Sequence, residues 1–255
     1  MTKTAAQEDY RRIFLLSHMR AYSSLTGHIL GSHPHINGYY EMHLSYTGPA
    51  DLDRQLRRYR QSDTLKPDSR YLFDKLLHND YTLDAQQLTG AGDRVLVSLR
   101  APQPTLKSIL HLFRARSSEE PYADPAQATA YYIQRLAALA DFGRENPRGY
   151  YYFDAERLIT DSPNLLGTLT QWCDLTPPLS DRYQTFALTG QPGAGDSSRR
   201  IASRKIQASE NVYADIRLDA PHLRQAEQAY IEYRDELLRY ARASMTAQVG
   251  EVENS

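Results

Sequence analysis

Short unbroken apolar runs alternate with longer stretches of helical periodicity along most of the chain. Residues 13–16, 71–77, 95–99 and 150–153 read as strands that are apolar on both faces, the pattern of a parallel sheet covered on two sides. A further short strand is expected over residues 38–41. Between these runs, helical spacing appears over residues 23–30, 52–59, 105–114, 127–142, 165–173 and 220–243. Strands alternating with helices predict an α/β fold, a parallel β-sheet flanked by crossover helices. A chain of 255 residues, 41% hydrophobic, has enough apolar material for one sizeable core, so a single domain over 1–255 is expected. Its ends, about 1–10 and 246–255, are polar and expected to fray. The polar, charged helical stretch 46–68 is expected to form a lid.

Charge narrows the partners. A formal net charge of −1 gives no global attraction to nucleic acid or to an anionic membrane, so an anionic ligand must be held locally. No run approaches the roughly 20 apolar residues that cross a bilayer, and the amino terminus lacks the apolar centre of a secretory signal. The one cysteine, Cys173, lies beside Trp172 in an apolar helical stretch and reads as a buried structural thiol in a reducing compartment. Cytoplasmic residence is the expectation. His28, His33, His35 and His43 crowd one region, but no cysteine or carboxylate pair completes a metal site, and no metal is expected. The amphipathic stretch 223–245 offers a face for pairing with a second copy, as a homodimer.

The sharpest chemistry follows the first strand. Residues 17–25 (SHMRAYSSL) pass from strand through a basic turn to a hydroxyl-rich helix start. That order builds an anion seat, because the first amides of a helix lack intrahelical acceptors. In a parallel sheet, ligands bind beyond the carboxyl ends of the strands. Arg20, Glu41, Lys75 and Arg100 all fall at or near such ends, three cations and one carboxylate on one rim. Arg100 ends a strand, Pro102 opens a helix, and Ser108 lies where the helix could return it to the same phosphate.

These residues resemble the motifs of the sulfotransferases that use 3′-phosphoadenosine 5′-phosphosulfate (PAPS). Arg20-Ala21-Tyr22-Ser23-Ser24-Leu25 is similar to the family's turn around the donor's 5′-phosphosulfate. Arg100, Pro102 and Ser108 match its 3′-phosphate motif, and Asp74-Lys75 with His78 and Asn79 its acidic-Lys pattern. Residues 152–163 resemble the strand and turn before a late helix, and 192–196 the Gly-rich donor-side loop. The likeness spans residues 13–206 and implies a P-loop-like three-layer sandwich. It further implies PAPS as co-substrate and a small-molecule hydroxyl acceptor. Arg20, Ala21, Tyr22, Ser23, Ser24, Arg100 and Ser108 would then bind the donor. Arg20 and Lys75 would stabilise the leaving phosphate, and Glu41 would act as general base with His78 as the alternative. A His one residue out of register points to the opposite strand face, which favours Glu41.

Three positions depart from the family pattern. Tyr22 stands where glycine is usual, and a bulky residue takes φ > 0 at a cost, so a reshaped turn is expected. Ala101 replaces an acidic or amide residue. Gly190-Gln191-Pro192 replaces the basic lead of the Gly-rich loop, leaving Arg199, Arg200 or Arg204 to supply its charge. Two other readings remain at this stage: a P-loop phosphotransferase, although residues 17–24 hold neither Gly nor Lys, and a catalytically degenerate nucleotide-binding or scaffold protein.

Overall fold

The structure, a computed structural model, describes residues 10–191, 200–207, 213 and 215–247. Its frame is a six-stranded sheet in the order β2-β3-β1-β4-β5-β6, every neighbouring pair parallel. The strands are β1 (Arg11–Leu16), β2 (Ile36–Asn37), β3 (Tyr71–Leu76), β4 (Arg94–Leu99), β5 (Tyr151–Asp154) and β6 (Ala243–Met245). Helices α1 (Ser23–Ser32), α2 (Pro49–Ser62), α3 (Pro102–Arg114), α4 (Pro125–Glu145), α5 (Arg157–Thr160), α6 (Ser162–Trp172) and α7 (Ala220–Tyr240) connect them.

The continuous apolar runs become central strands because both faces are covered. Ile13 and Leu15 of β1 pack with Phe73, Leu96 and Phe153 beneath α1 and α6, through Ile29, Leu30, Leu165 and Leu169. Phe14 and Leu16 point the other way, joining Val95, Val97 and Leu99 against Leu106, Ile109, Leu136 and Leu139 of α3 and α4. Alternation within each strand therefore feeds two separate cores, and the fold is a three-layer α/β sandwich.

Two elements differ from the sequence expectation. Pairing at the β2 edge covers Ile36 and Asn37 only, and residues 38–41 run beyond it as irregular chain carrying Glu41 outside the sheet. Helix α7 stops at Tyr240, and the next residues form β6, in register as Tyr151↔Ala243 to Phe153↔Met245. Here an open strand edge on β5 competes with helical propensity, and the ladder hydrogen bonds win. The apolar side of α7 packs within the chain, with Ala226 and Leu237 in the core shared with α4.

Residues 46–68 are anchored at several points. Tyr46 and Tyr59 are buried, and Arg12 donates to the Leu52 carbonyl at 3.3 Å. The Lys66 ammonium bonds the carbonyls of Gly31, His33 and Ile36 at the end of α1, and burial pulls its pKa down to about 8. Helix α1 also lies against the chain leading to Glu41. A Cβ on Gly27 would sit 2.3 Å from the Tyr39 carbonyl oxygen, and one on Gly31 2.6 Å from that of Gly38.

Helix α7 and the segment through Ala247 are tied down by one carboxylate. Asp154, at the end of β5, accepts a two-pronged bond from Arg234 of α7 at 2.9 and 2.7 Å, and bonds from Tyr152 and the Ala247 amide. Arg234→Leu leaves that carboxylate buried without its cation, and is expected to lower the unfolding free energy by about 3 kcal/mol. Urea midpoints measure it; a change below about 1 kcal/mol would show that the pair is not the tether.

Candidate active site

The order of the strands locates the site. From β1 the chain crosses to β2 and β3 on one side, then returns past β1 to β4 on the other, so the crevice opens beyond the carboxyl end of β1. There the turn between β1 and α1 is built on buried polar contacts. Ser17 Oγ donates to the Ser98 carbonyl at 2.8 Å, and the Met19 amide to Tyr131 Oη at 2.8 Å. His18 Nε2 accepts from the Arg100 amide at 3.0 Å, and because a peptide N–H can only donate, Nδ1 holds the proton and gives it to the Met19 carbonyl. Burial lowers the His18 pKa to about 3, so the ring is a neutral, fixed strut between β1 and β4.

This strut precedes two residues in the left-handed region, Arg20 at φ 64° and Tyr22 at φ 54°. Tyr22 thus holds the conformation that a glycine takes freely. The Arg100 guanidinium lies 4.4 Å from its ring centroid, a cation–π contact of about 1 kcal/mol, comparable to the steric penalty of about 1–2 kcal/mol. The Tyr22 ring thus gives Arg100 a platform. Arg100 Nη1 also donates to the Arg20 carbonyl at 3.0 Å, and Arg20 Nε donates to Ser108 Oγ of α3 at 2.8 Å. One cluster therefore joins Arg20, Tyr22, Arg100 and Ser108, with Ala21 and Ser23 buried in the turn.

Lys75 reaches the same place from β3. Its side chain is buried, and its ammonium lies 3.3 Å from Ser24 Oγ in the first turn of α1, where the amides also point outward. Helix dipole, ammonium and two guanidiniums thus line the turn between β1 and α1, an arrangement whose electrostatic complement is a multiply charged anion.

Glu41 is positioned through Asp74. The buried Asp74 carboxylate accepts from the Met42 and Lys75 amides at 2.9 and 2.8 Å and from the Tyr46 hydroxyl at 2.6 Å. The peptide after Glu41 and that of Lys75 are thereby held by one group. Glu41 Oε2 is 4.0 Å from His43 Nε2, while Oε1 is buried and has no hydrogen-bond partner among the described residues. His78 is half-buried against Tyr131, ring centroids 5.6 Å apart, and burial pulls its pKa down.

Two candidates stand elsewhere. Arg204 is not drawn into the cluster: its carbonyl accepts from the Tyr183 amide, and its side chain lines a cleft with Tyr183, Gln184 and Thr185. Residues 192–196 and Arg199 lie outside the described residues. Among the described residues, no group of three or more His, Cys, Asp or Glu could hold a metal ion, and no helix is long and apolar enough to cross a membrane. Burial raises the Cys173 pKa to about 12, leaving an inert thiol.

Sequence reading passed over Arg135. From α4 it donates to the carbonyls of Ser17 and Leu76 at 2.8 and 2.6 Å and to Asn79 Oδ1 at 3.0 Å. The available signal was its place: Arg135 lies four residues after Tyr131, among the helix's buried positions Tyr132, Leu136 and Leu139, where a charged residue needs partners.

No protein-family model matches the chain, and no curated protein matches it. Solved structures do. The sulfotransferase domain from the curacin biosynthetic pathway is 18% identical, with a TM-score of 0.54 over 86% of this chain and 97% of that one. Mouse sulfotransferase SULT7A1, complexed with PAP, is 14% identical, with a TM-score of 0.51 over 91% of this chain and 90% of that one. The protein is thus a P-loop-like α/β sandwich with a cation-lined turn at its switch point. More narrowly, its fold is that of the sulfotransferases.

Burial raises the Asp74 pKa to about 7, against about 4 in an unfolded chain. The folded state thus keeps a proton that the unfolded chain releases, and the stability this provides is full below about pH 4 and lost as pH rises to about 7. Asp74→Asn stays neutral and can offer one oxygen to the two amides. The Tm of the wild type relative to this variant is expected to fall across that interval and level off above it. A difference independent of pH would show that Asp74 is ionised throughout.

Proposed function

We propose that the protein is a PAPS-dependent sulfotransferase acting on the hydroxyl of a small molecule. The observation that carries this reading is the pairing of a cation cluster at the amino end of α1 with a carboxylate oxygen, Glu41 Oε1, buried without a partner. A buried acceptor left unpaired is costly, and an incoming hydroxyl would satisfy it. The fold likeness to sulfotransferases, one of them complexed with PAP, supports the same reading.

In this mechanism Arg100 and Ser108 bind the 3′-phosphate of the donor, and the α1 amides with Ser23 and Ser24 bind its 5′-phosphosulfate. The acceptor oxygen attacks sulfur in line with the bridging S–O bond, and its proton passes to Glu41. As that bond breaks, negative charge builds on the 5′-phosphate, and Lys75 and Arg20 stabilise it. His78, whose pKa burial pulls down, is the alternative base. Asp74 and Arg135 position the reacting groups and touch neither substrate. Acceptor contacts come from the rings near Glu41, including His43 and Tyr81, whose centroids are 5.2 Å apart.

Two substitutions separate the roles. Glu41→Gln is expected to lower kcat roughly 10²- to 10⁴-fold while leaving the affinity for PAP unchanged. Arg100→Ala is expected to weaken PAP binding at least tenfold, by loss of charge-assisted bonds. Calorimetry with PAP and transfer of labelled sulfate to a panel of alcohols measure both. A wild-type protein that binds no PAP would refute the proposal.

A further inference from the structure

Beside the Arg20–Ser108 pair stands a residue that no motif assigns, Tyr213. It follows the segment leading from the Gly-rich loop, and its hydroxyl lies 3.1 Å from Ser108 Oγ. Ser108 Oγ already accepts from Arg20 Nε, so its own proton is free to go to the phenol oxygen. Arg20 interacts with the same phenol, and Arg20 and Arg100 both act electrostatically on it. The ring is fixed by His111 of α3, centroids 5.1 Å apart, one turn beyond Ser108.

An oxygen that accepts from a serine and an arginine, with a second arginine close by, occupies the surroundings of a phosphate oxygen. The phenol nevertheless keeps one proton to donate. We infer that Tyr213 is a phosphate-binding residue, its hydroxyl donating to the 3′-phosphate of the nucleotide held by Arg100 and Ser108, and that it reads the presence of that phosphate. The inference rests on the donor site proposed above. Its physical basis is that Arg20 stays on Ser108 Oγ while the serine proton can turn from the phenol oxygen to a phosphate, so that serine, phenol and Arg100 guanidinium all present donors on one side. In keeping with this, the charges and bonds around Tyr213 outweigh burial and pull the phenol pKa down, where other buried tyrosines of the chain have theirs raised.

The test is calorimetric titration of the full chain with two nucleotides, PAP and adenosine 5′-phosphosulfate, which lacks the 3′-phosphate. Tyr213→Phe keeps the ring against His111 and removes only the hydroxyl. It is expected to weaken PAP roughly three- to tenfold and to leave adenosine 5′-phosphosulfate unchanged. Tyr213→Leu, which also removes the ring, should lose at least as much for PAP alone, with Tm reporting that both variants fold. Unchanged or tighter PAP binding by Tyr213→Phe overturns the inference, as does equal weakening of both nucleotides. If the wild type binds PAP and only the Tyr213 effect is missing, the donor site stands and this residue's role falls. If the wild type binds neither nucleotide, both fall.

Discussion

A buried guanidinium holds the ends of two central strands together. Arg135 gives its hydrogen bonds to the Ser17 and Leu76 carbonyls and to the Asn79 amide oxygen, all neutral acceptors, and burial lowers its pKa to about 10, well above neutrality. These are the points at which β1 and β3 leave the sheet, one toward the anion turn and the other toward His78. Without Arg135 the Ser17 carbonyl would lose a buried donor, and the Leu76 carbonyl would keep only the Ser17 amide at 3.2 Å. Arg135 also brings positive charge to the Glu41 side, since Glu41 acts electrostatically on Arg135, on Tyr131 and on His78. A single side chain from α4 therefore underlies both halves of the site.

The two halves are built by different physics. At the β1–α1 turn, charge is presented by strained backbone: Arg20 and Tyr22 adopt left-handed φ values, held by the His18 strut and the Arg100–Tyr22 contact. Strain of this kind persists where surrounding contacts over-determine it. Around Glu41, ordinary loop backbone is fixed by one carboxyl group, Asp74, which gathers three donors. The first half is suited to gripping an anion of fixed shape, the second to placing one carboxylate oxygen.

The central strands and most helices were legible because their signal is local: unbroken apolar runs such as 13–16 and 95–99 have one stable use in a two-sided sheet. β6 was not, because Ala243–Met245 becomes a strand only by lying against β5, a neighbour distant in sequence. Residues 38–41 misled for the opposite reason, since apolar Tyr39 and Tyr40 pack in a side cluster and pair with no strand. Within the site, Arg20, Ser24, Lys75, Arg100 and Ser108 could be picked out by their places after strands, and they do lie together. Asp74, Arg135 and Tyr213 act through contacts across elements, and nothing in their local sequence states the partner. Arg204 was a candidate for its charge and its place after the Gly-rich loop, and nearness in sequence does not fix where a loop side chain lies.

Helix α1 meets the chain at Gly38 and Tyr39 with backbone against backbone, through Gly27 and Gly31. The helix that opens at the cation-lined turn and the segment that carries Glu41 are thus coupled through their backbones, with no flexible side chain at the glycines to absorb a displacement. Lengthening or reshaping the 38–44 segment would shift α1 with it, so the surroundings of Glu41 are more readily altered by exchanging side chains than by remodelling this piece of backbone.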